Sequence, residues 1–293
     1  MVERLPEEKT IAEKQWKRRF LLYLPKLPGD LLKIAVLLIF AFPFYWMLIT
    51  AFKTYGEAII VPPTLIPREF TLESFKTISE LGMGLWRYAL NSIIVTLAVI
   101  VLQIAVMVPA AYAFARRSFP FRGLLFGVVL VAFMIPEQIT YISVFLMMSK
   151  AKLINTLWPQ IIPFGANAFG IFMLRQGFKQ IPDEIVECAR LDSATERQIM
   201  LRIMLPMSKS SMITIAMFSF IAHWNSYFWP LVMTMNDAVR PLTMAVERLK
   251  DAEQGLLWNN IMASNTILVV PVIIIFLFAS QKIIQAFSYK GVK

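Results

Sequence analysis

The amino-acid sequence predicts an all-α membrane protein, a polytopic bundle of six transmembrane helices with both termini on the inner side. Of its 293 residues, 58% are hydrophobic and only 16% are charged, whereas soluble domains usually contain about 25% charged residues. The apolar residues gather in long segments, and Lys and Arg lie in the short stretches between them. This distribution is typical of chains whose solvent is lipid.

Each predicted helix is an apolar segment long enough to cross a bilayer, which takes about 20 residues. The six segments comprise residues 31–52, 88–115, 123–148, 157–174, 211–233 and 261–284. The second and third segments are joined by residues 116–122, a turn too short to hold a domain. These two helices should therefore run antiparallel.

The distribution of positive charge predicts the orientation. With both termini inside, 20 of the 29 Lys and Arg residues lie on the inner side, as the positive-inside rule requires. The expected organisation is a basic cytoplasmic segment at 1–30, a membrane domain at 31–284 and a cytoplasmic tail at 285–293. Within the membrane domain, residues 175–210 form a charged cytoplasmic loop.

Charge and residue usage exclude several classes of partner and site. The net charge of +10 raises the question of nucleic acid, but the basic residues do not form a patch on one soluble domain, so no nucleic-acid partner is expected. The basic N-terminal stretch fits anionic lipid headgroups instead. Cys188 and His223 are the only residues of their types, so neither an intrachain disulfide nor a Cys/His metal site is predicted.

The loop at 175–210 contains signals for two short helices. Asp183 and Glu184 suit the start of the first helix, where a cap and negative charge are favourable. The four residues 193–196 read as a capping box that starts the second helix. Apolar residues recur at helical spacing in both helices, at Ile185, Cys188, Ala189 and Leu191 in the first and at Ile199, Met200 and Ile203 in the second. The second helix is expected to end at Leu205-Pro206.

Residues of this loop resemble the signature of ABC-importer permeases. Glu187-Cys188-Ala189, then Ser193, then residues 203–206 are similar to the Glu-Ala-Ala, Gly and Ile-x-Leu-Pro of that family. The likeness to its carbohydrate-uptake branch, which includes the smaller maltose-importer permease, extends over most of the chain. The further matching residues are Asn91-Ser92, 110–116, 154–156, Trp224-Asn225, Pro230-Leu231, Gln281-Lys282 and 290–293. Chain length and the N-terminal extension also suggest an alginate-oligosaccharide importer subunit, although no motif specifies that substrate.

Two residues depart from the family signature. Cys188 stands where the family has Ala, which exchanges one small residue for another. Ser193 stands where the family has Gly, so a positive φ at this position would cost steric energy that Gly avoids. The alternative is that the Ser193 side chain fixes the bend by capping the second helix. We expect the capping role.

The resemblance implies a transporter subunit rather than an enzyme. In such importers the first short helix of the loop inserts into a cleft of a cytoplasmic ATPase, and its movement switches the membrane helices between inward-facing and outward-facing states. The implied coupling residues are Ile185 and Leu191 as an apolar face, Glu187 as the polar contact, Cys188 and Ala189 in close packing, Arg190 and Asp192 in local contacts, and Ser193, Leu205 and Pro206 from the signature.

The resemblance also implies partners and a location. These are a homologous permease subunit, two cytoplasmic ATPase subunits, an external solute-binding protein contacting residues 53–87 and 234–260, and a saccharide substrate. The ATPase would bind ATP and magnesium, and this chain would hold no cofactor. The location is the cytoplasmic membrane of a bacterium or archaeon.

Polar residues inside the predicted spans are candidates for the pathway. Glu137 would be costly against lipid, so we expect it to face the bundle or a watery cavity, either in a packing role beside Pro136 or against substrate. His223, Asn225 and Tyr227 could contact a polar substrate or form hydrogen bonds between helices.

Two other function classes compete with this interpretation. A secondary transporter or channel working without an ATPase predicts ionisable residues deep in several spans, and only Glu137 and His223 qualify. A membrane-bound enzyme predicts paired carboxylates, metal ligands or a nucleophile with its base, and the sequence has no such set at a membrane face.

Overall fold

Three long helices dominate the architecture. The computed structural model describes residues 27–80, 84–248 and 257–287, and in these ranges all regular structure is helical. The long helices are α1 (Leu27–Ala51), α4 (Leu85–Arg116) and α13 (Trp258–Phe287). The basic stretch predicted at the N-terminus, and the tail beyond Phe287, lie outside the described residues.

Shorter helices connect and surround the long ones. They are α2 (Tyr55–Ala58), α3 (Glu73–Ser79), α5 (Arg122–Met134), α6 (Glu137–Lys150), α7 (Ala168–Lys179), α8 (Asp183–Leu191), α9 (Glu196–Met207), α10 (Lys209–Trp224), α11 (Phe228–Met233) and α12 (Leu242–Arg248).

The third predicted span is bent rather than straight, since α5 and α6 meet at 98°. A second bend, of 80°, joins α9 of the predicted cytoplasmic loop to α10, where the fifth predicted span begins. The first bend lies at Ile135-Pro136, where proline disfavours helical conformation in the residue before it. Three helices of the described residues are long and apolar enough to cross a membrane, or five candidate spans if each bent pair counts as one.

The fourth predicted span, residues 157–174, is not one helix. Two 3-10 turns, Trp158–Gln160 and Ile162–Phe164, occupy its first half, and α7 begins only after Asn167, whose side chain accepts a hydrogen bond from the Gly170 amide at 2.8 Å. Pro159 and Pro163 cause this break because proline lacks the backbone N–H of a regular helix. Helix α7 has 12 residues, or about 18 Å. The fifth predicted span likewise divides between α10 and α11.

Helix α4 is the central element of the bundle. It packs along α7 and α10, while α13 packs against α1, α3 and α10. The contact between α4 and α7 is close because residue 170 is glycine: a Cβ there would overlap the Met107 sulfur atom.

The outward surface of α1 is apolar over most of its length. Leu38, Ile39 and Phe40 are 64%, 70% and 73% exposed. Such a surface is suited to lipid, where apolar side chains carry no cost of hydration.

A buried carboxylate organises the segment after α1. Glu57 accepts hydrogen bonds from the Thr64 hydroxyl at 2.6 Å and from the Arg68 amide at 2.9 Å. These bonds stabilise the charged form, so the pKa of Glu57 is lowered, with the Thr64 bond as the main cause. Lys53 is also buried, donates to the Thr64 carbonyl and lies 4.6 Å from the centre of the Trp46 ring.

Candidate functional site

Helix α8 has one buried face and one exposed face. It starts at Pro182 as N-cap, with Asp183 and Glu184 in the first turn. Val186 and Ala189 are 3% and 8% exposed and belong to a core shared with α4, α7, α9 and α10. Thus Ala189 packs inside its own chain.

The exposed face of α8 contains most of the residues predicted for coupling. Ile185 is 36% exposed and Leu191 is 85% exposed, and Glu187 and Cys188 are exposed beside them. Of the two residues predicted to pack closely, Ala189 is buried beside Val186, whereas Cys188 is exposed. We call Ile185, Glu187, Cys188 and Leu191 the α8 outer face.

The bend after α8 is a Schellman motif. The Ser193 amide donates to the Arg190 carbonyl and the Ala194 amide to the Ala189 carbonyl, both at 3.0 Å. Asp192 is the exposed C-cap, and Ser193 follows it with φ of 59°. The prediction that Ser193 caps the next helix is therefore wrong, since this position has the left-handed conformation that glycine adopts more easily.

Thr195 takes the capping role instead. Its hydroxyl accepts from the Gln198 amide, and the Gln198 side chain accepts from the Thr195 amide, which completes a capping box. The helix then passes through a π-helical turn at Ile199–Met204. Ile199 and Met204 are fully buried, whereas Met200, Ile203 and Leu205 are partly buried against the same core. Pro206 is exposed, and the helix ends one residue later, at Met207.

Arg116 joins the end of α4 to the start of α8. Its side chain is only 8% exposed and forms an ion pair with Asp183, whose side chain is 78% exposed. The same guanidinium donates to the Phe178 carbonyl at 2.7 Å and to the Ile181 carbonyl. It thereby contacts the chain on both sides of the turn between α7 and α8.

Glu196 makes a second connection between α4 and this loop. It accepts a hydrogen bond from the Tyr112 hydroxyl and one from Arg190 Nε at 3.2 Å, and it lies 3.5 Å from Arg117. Together, Arg116, Tyr112, Glu196 and Arg190 form what we call the α4 clamp, which fixes α8 and α9 to a long membrane helix. Sequence reasoning predicted local contacts of Arg190 but did not predict that Arg116 and Tyr112 of α4 would hold this loop.

A cavity of about 770 Å³ lies among α4, α5, α6, α7 and α10. Of the four residues predicted to line the pathway, Glu137 and His223 line this cavity, whereas Asn225 and Tyr227 do not. The Asn225 side chain donates to the Ile221 carbonyl of its own helix, and Tyr227 is exposed. Sequence reasoning missed Gln103, a polar residue within an apolar span that the cost of burial could have revealed.

Comparison with known proteins decides the family. Residues 107–288 match the family described as binding-protein-dependent transport system inner membrane component. This chain is a member of that family. The matched region includes α7 to α10, and with them the α8 outer face and all four residues of the α4 clamp. The family membership favours a transport permease over the alternative of a membrane-bound enzyme.

Two curated relatives align with nearly the whole of this permease. The sn-glycerol-3-phosphate transport system permease protein UgpE of Salmonella typhi is 29% identical over 87% of this chain and 92% of its own. The diacetylchitobiose uptake system permease protein DasC of Streptomyces coelicolor is 31% identical over 86% and 91%. A chain from the crystal structure of a bacterial ABC transporter that imports the acidic polysaccharide alginate has the same fold, with a TM-score of 0.79, 20% identity, and coverage of 88% and 96%.

Three other residues that match the family pattern connect helices at a distance from α8. Asn91 donates to the Ala238 and Arg240 carbonyls at 3.0 and 2.9 Å, and Ser92 accepts from the Leu242 amide at 2.8 Å. Trp224 donates to the Leu268 carbonyl on α13 at 2.9 Å. These residues therefore have structural roles, away from the α8 outer face.

Proposed function

We propose that this permease forms one half of the translocation pathway of an ATP-driven importer and that the α8 outer face binds a cytoplasmic ATPase. In this proposal the chain crosses the membrane six times with both termini inside. Helix α7 and the 3-10 turns before it make one crossing, beside the three long helices, the bent pair of α5 and α6, and α10 with α11, while α9 stays on the cytoplasmic side. The excess of Lys and Arg on the inner side supports the orientation.

The observation that carries the proposal is the composition of the α8 outer face. Leu191 is an apolar side chain at 85% exposure, next to the carboxylate of Glu187 and the thiol of Cys188. Apolar side chains beside a charged group are the usual pattern of a protein contact with a buried centre and polar rim. Since the opposite face is already packed on the bundle core, the outer face is the part of α8 available to a partner.

The α4 clamp supplies the mechanism of coupling. A movement of α8 imposed by the ATPase reaches α4 through Arg116 and Glu196 and through the shared core of Val186 and Ala189. Because packed cores move as units rather than deform continuously, α8 and α4 shift together as a rigid body. The ATPase subunits bind and hydrolyse the ATP with magnesium.

The remaining partners and the cargo follow from the family. A homologous permease completes the pathway, and an external binding protein delivers a saccharide to the outer segments 53–87 and 234–260. The curated relatives named for diacetylchitobiose uptake and for glycerol 3-phosphate transport support a hydroxyl-rich cargo. The chain resides in the bacterial cytoplasmic membrane, with its apolar outer surface in lipid.

Protection of Cys188 from alkylation tests ATPase docking without any substitution. It is the only cysteine of the chain and is exposed on α8. The permease pair is purified with and without its co-expressed ATPase, treated with N-ethylmaleimide, and digested so that mass spectrometry follows the peptide containing residue 188. We expect alkylation several-fold slower in the complex with the ATPase.

A matched control places the thiol elsewhere. In a Cys188→Ser, Ile66→Cys double variant, the new thiol lies at a position that is 74% exposed on the opposite, outer segment. It should react at the same rate with and without the ATPase. Equal alkylation of Cys188 in the two preparations would show that docking occurs elsewhere, and failure of any ATPase to co-purify would remove the proposed function.

A further inference from the structure

We infer that residues 59–67, which we call the outer apolar loop, lie in the interface of the outer lipid leaflet and bind lipid rather than a protein partner. The inference goes beyond the proposed function and rests on it only for the direction in which α1 crosses the membrane. It also narrows the surface that an external binding protein could contact within residues 53–87, because lipid would cover this part of the segment.

The outer apolar loop exposes its apolar side chains. Residues 59–67 contain no charged residue and a single polar one, Thr64. The large side chains that the loop exposes are those of Ile59, Ile60, Val61, Leu65 and Ile66, with Val61 at 89% and Ile66 at 74%. An exposed apolar surface of this kind marks a contact with another protein or with a membrane.

The polar side chains at the base of the loop point inward instead. Lys53 and Glu57 are 1% and 6% exposed. Lys53 donates to the Thr64 carbonyl, and Glu57 accepts from the Thr64 hydroxyl and the Arg68 amide. Irregular backbone at a membrane needs such partners within the protein, because water is scarce there. The loop thus has an apolar exterior over a polar interior, the reverse of a loop that lies in water.

A hydrogen bond to α1 sets the depth of the loop. The Tyr45 hydroxyl donates to the Leu65 carbonyl at 2.7 Å. Tyr45 precedes the end of α1 at Ala51 by six residues, or about 9 Å along the helix axis, and side chains of a helix lean toward its N-terminus. The loop therefore folds back beside α1 toward the membrane instead of extending into the external water.

The face of α1 beside the loop is suited to the lipid boundary. Leu38 and Phe42 are exposed and share the face of Tyr45 by their helical spacing. Tyr45 is followed by Trp46, and Lys53 Nζ lies 4.6 Å from the centre of the Trp46 ring. Tyrosine, tryptophan and lysine are the usual anchors of a helix at the membrane–water interface. The outer apolar loop thus continues the lipid-facing surface of α1 at its outer boundary.

A protein partner fits a different part of the outer segment. Helix α3 exposes a polar face at helical spacing, formed by Glu73, Lys76, Thr77 and Glu80. Charged side chains of both signs supply the hydrogen bonds and charge pairs by which a soluble protein would recognise this face. The outer apolar loop presents no charge and turns its one hydroxyl to Glu57. Lipid, which needs no specific polar contact, is therefore the occupant that the loop fits.

Spin labelling distinguishes lipid from water and from a protein contact. A nitroxide is attached to Ile66→Cys in a Cys188→Ser background, and the permease pair is reconstituted in liposomes of phosphatidylethanolamine and phosphatidylglycerol. Lys76→Cys in the same background is the matched control, because Lys76 is exposed on α3 of the same segment. In the alkylation control, lipid or detergent around residue 66 affects the rate equally with and without the ATPase.

Power saturation of the electron paramagnetic resonance signal gives the collision rates of the label with oxygen and with a water-soluble nickel chelate. Oxygen is apolar and concentrates in lipid, whereas the polar chelate is excluded from it. We expect the ratio of the oxygen rate to the chelate rate to be several-fold higher at residue 66 than at residue 76.

Two results would overturn the inference. Equal ratios at residues 66 and 76, with the label open to the chelate, would place the loop in water. Low collision rates with both reagents at residue 66 would place the loop under a protein partner. The measurement needs no ATPase, so failure of ATPase docking leaves the inference intact, and a loop found in water leaves the proposed function intact.

Discussion

Removing the Arg116 side chain should weaken the attachment of α8 far more than removing its acidic partner. The guanidinium is 8% exposed and donates to the Phe178 and Ile181 carbonyls in addition to pairing with Asp183. A hydrogen bond from a charged donor contributes about 1.5–3 kcal/mol, and an ion pair with an exposed carboxylate contributes about 0–1 kcal/mol. Arg116→Ala should therefore lower the free energy of unfolding by about 3–5 kcal/mol, and Asp183→Asn by less than about 1 kcal/mol.

Thermal unfolding of the detergent-solubilised importer measures both variants on one scale. At roughly 2–4 °C for each kcal/mol, Arg116→Ala should lower the Tm by about 10 °C and Asp183→Asn by no more than about 3 °C. In proteoliposomes, Arg116→Lys, which keeps the charge, should transport less substrate per ATP hydrolysed than wild type because it cannot reach both carbonyls. Equal Tm values for Arg116→Ala and Asp183→Asn, or full coupling in Arg116→Lys, would refute the clamp as the route of transmission.

Three further predictions concern the α8 outer face, the bend and the outer segment. Glu187→Arg should abolish co-purification of the ATPase while leaving the Tm of the permease pair within a few degrees, and recovery of the ATPase with this variant would contradict the docking face. Ser193→Gly should keep or slightly raise the Tm because glycine tolerates positive φ, whereas Ser193→Val should lower the stability by about 1–2 kcal/mol; the reverse order would mean that the serine hydroxyl determines the bend. Glu57 has a lowered pKa, so its contribution to stability is complete above the ordinary pKa of 4.5 and is lost as the pH falls through the lower pKa of the folded state. Glu57→Gln should therefore reduce the free energy of unfolding at pH 7 and make that free energy less dependent on pH below 4.5. Parallel pH profiles for variant and wild type would oppose this role.

The long helices were the most predictable part of the fold. The span predicted at residues 88–115 corresponds to α4, which runs from Leu85 to Arg116. A long apolar segment in lipid must form a helix because only the helix pairs all its backbone N–H and C=O groups within the segment. The same reasoning failed at 157–174. That segment is also mostly apolar, but Pro159 and Pro163 each lack the backbone N–H of a helical donor, and an apolar composition does not reveal that loss.

The helix that carries the candidate site was predictable, but its packing was not. Capping and periodicity predicted α8 correctly as a separate short helix. Apolar residues lie on both of its faces, and only the packing partner shows that Val186 turns inward while Leu191 turns outward. The conformation of Ser193 depends on backbone hydrogen bonds of Ala189 and Ala194, which any side chain at these positions would permit. The burial of Lys53 and Glu57 beneath the outer apolar loop was not predictable either, because charged residues of a loop are usually exposed.

The division of α8 into a packed face and an exposed face has a consequence for how such subunits can be re-engineered. A nine-residue helix is too short to persist alone in water, so a peptide copied from it would not serve as an inhibitor unless its inward side chains were given a substitute scaffold. Conversely, the four positions Ile185, Glu187, Cys188 and Leu191 can be exchanged as a set without disturbing the interior. Under the proposed docking of the ATPase on the α8 outer face, grafting another permease's residues onto these positions would redirect this chain to a different motor subunit, with the interior of the bundle left intact.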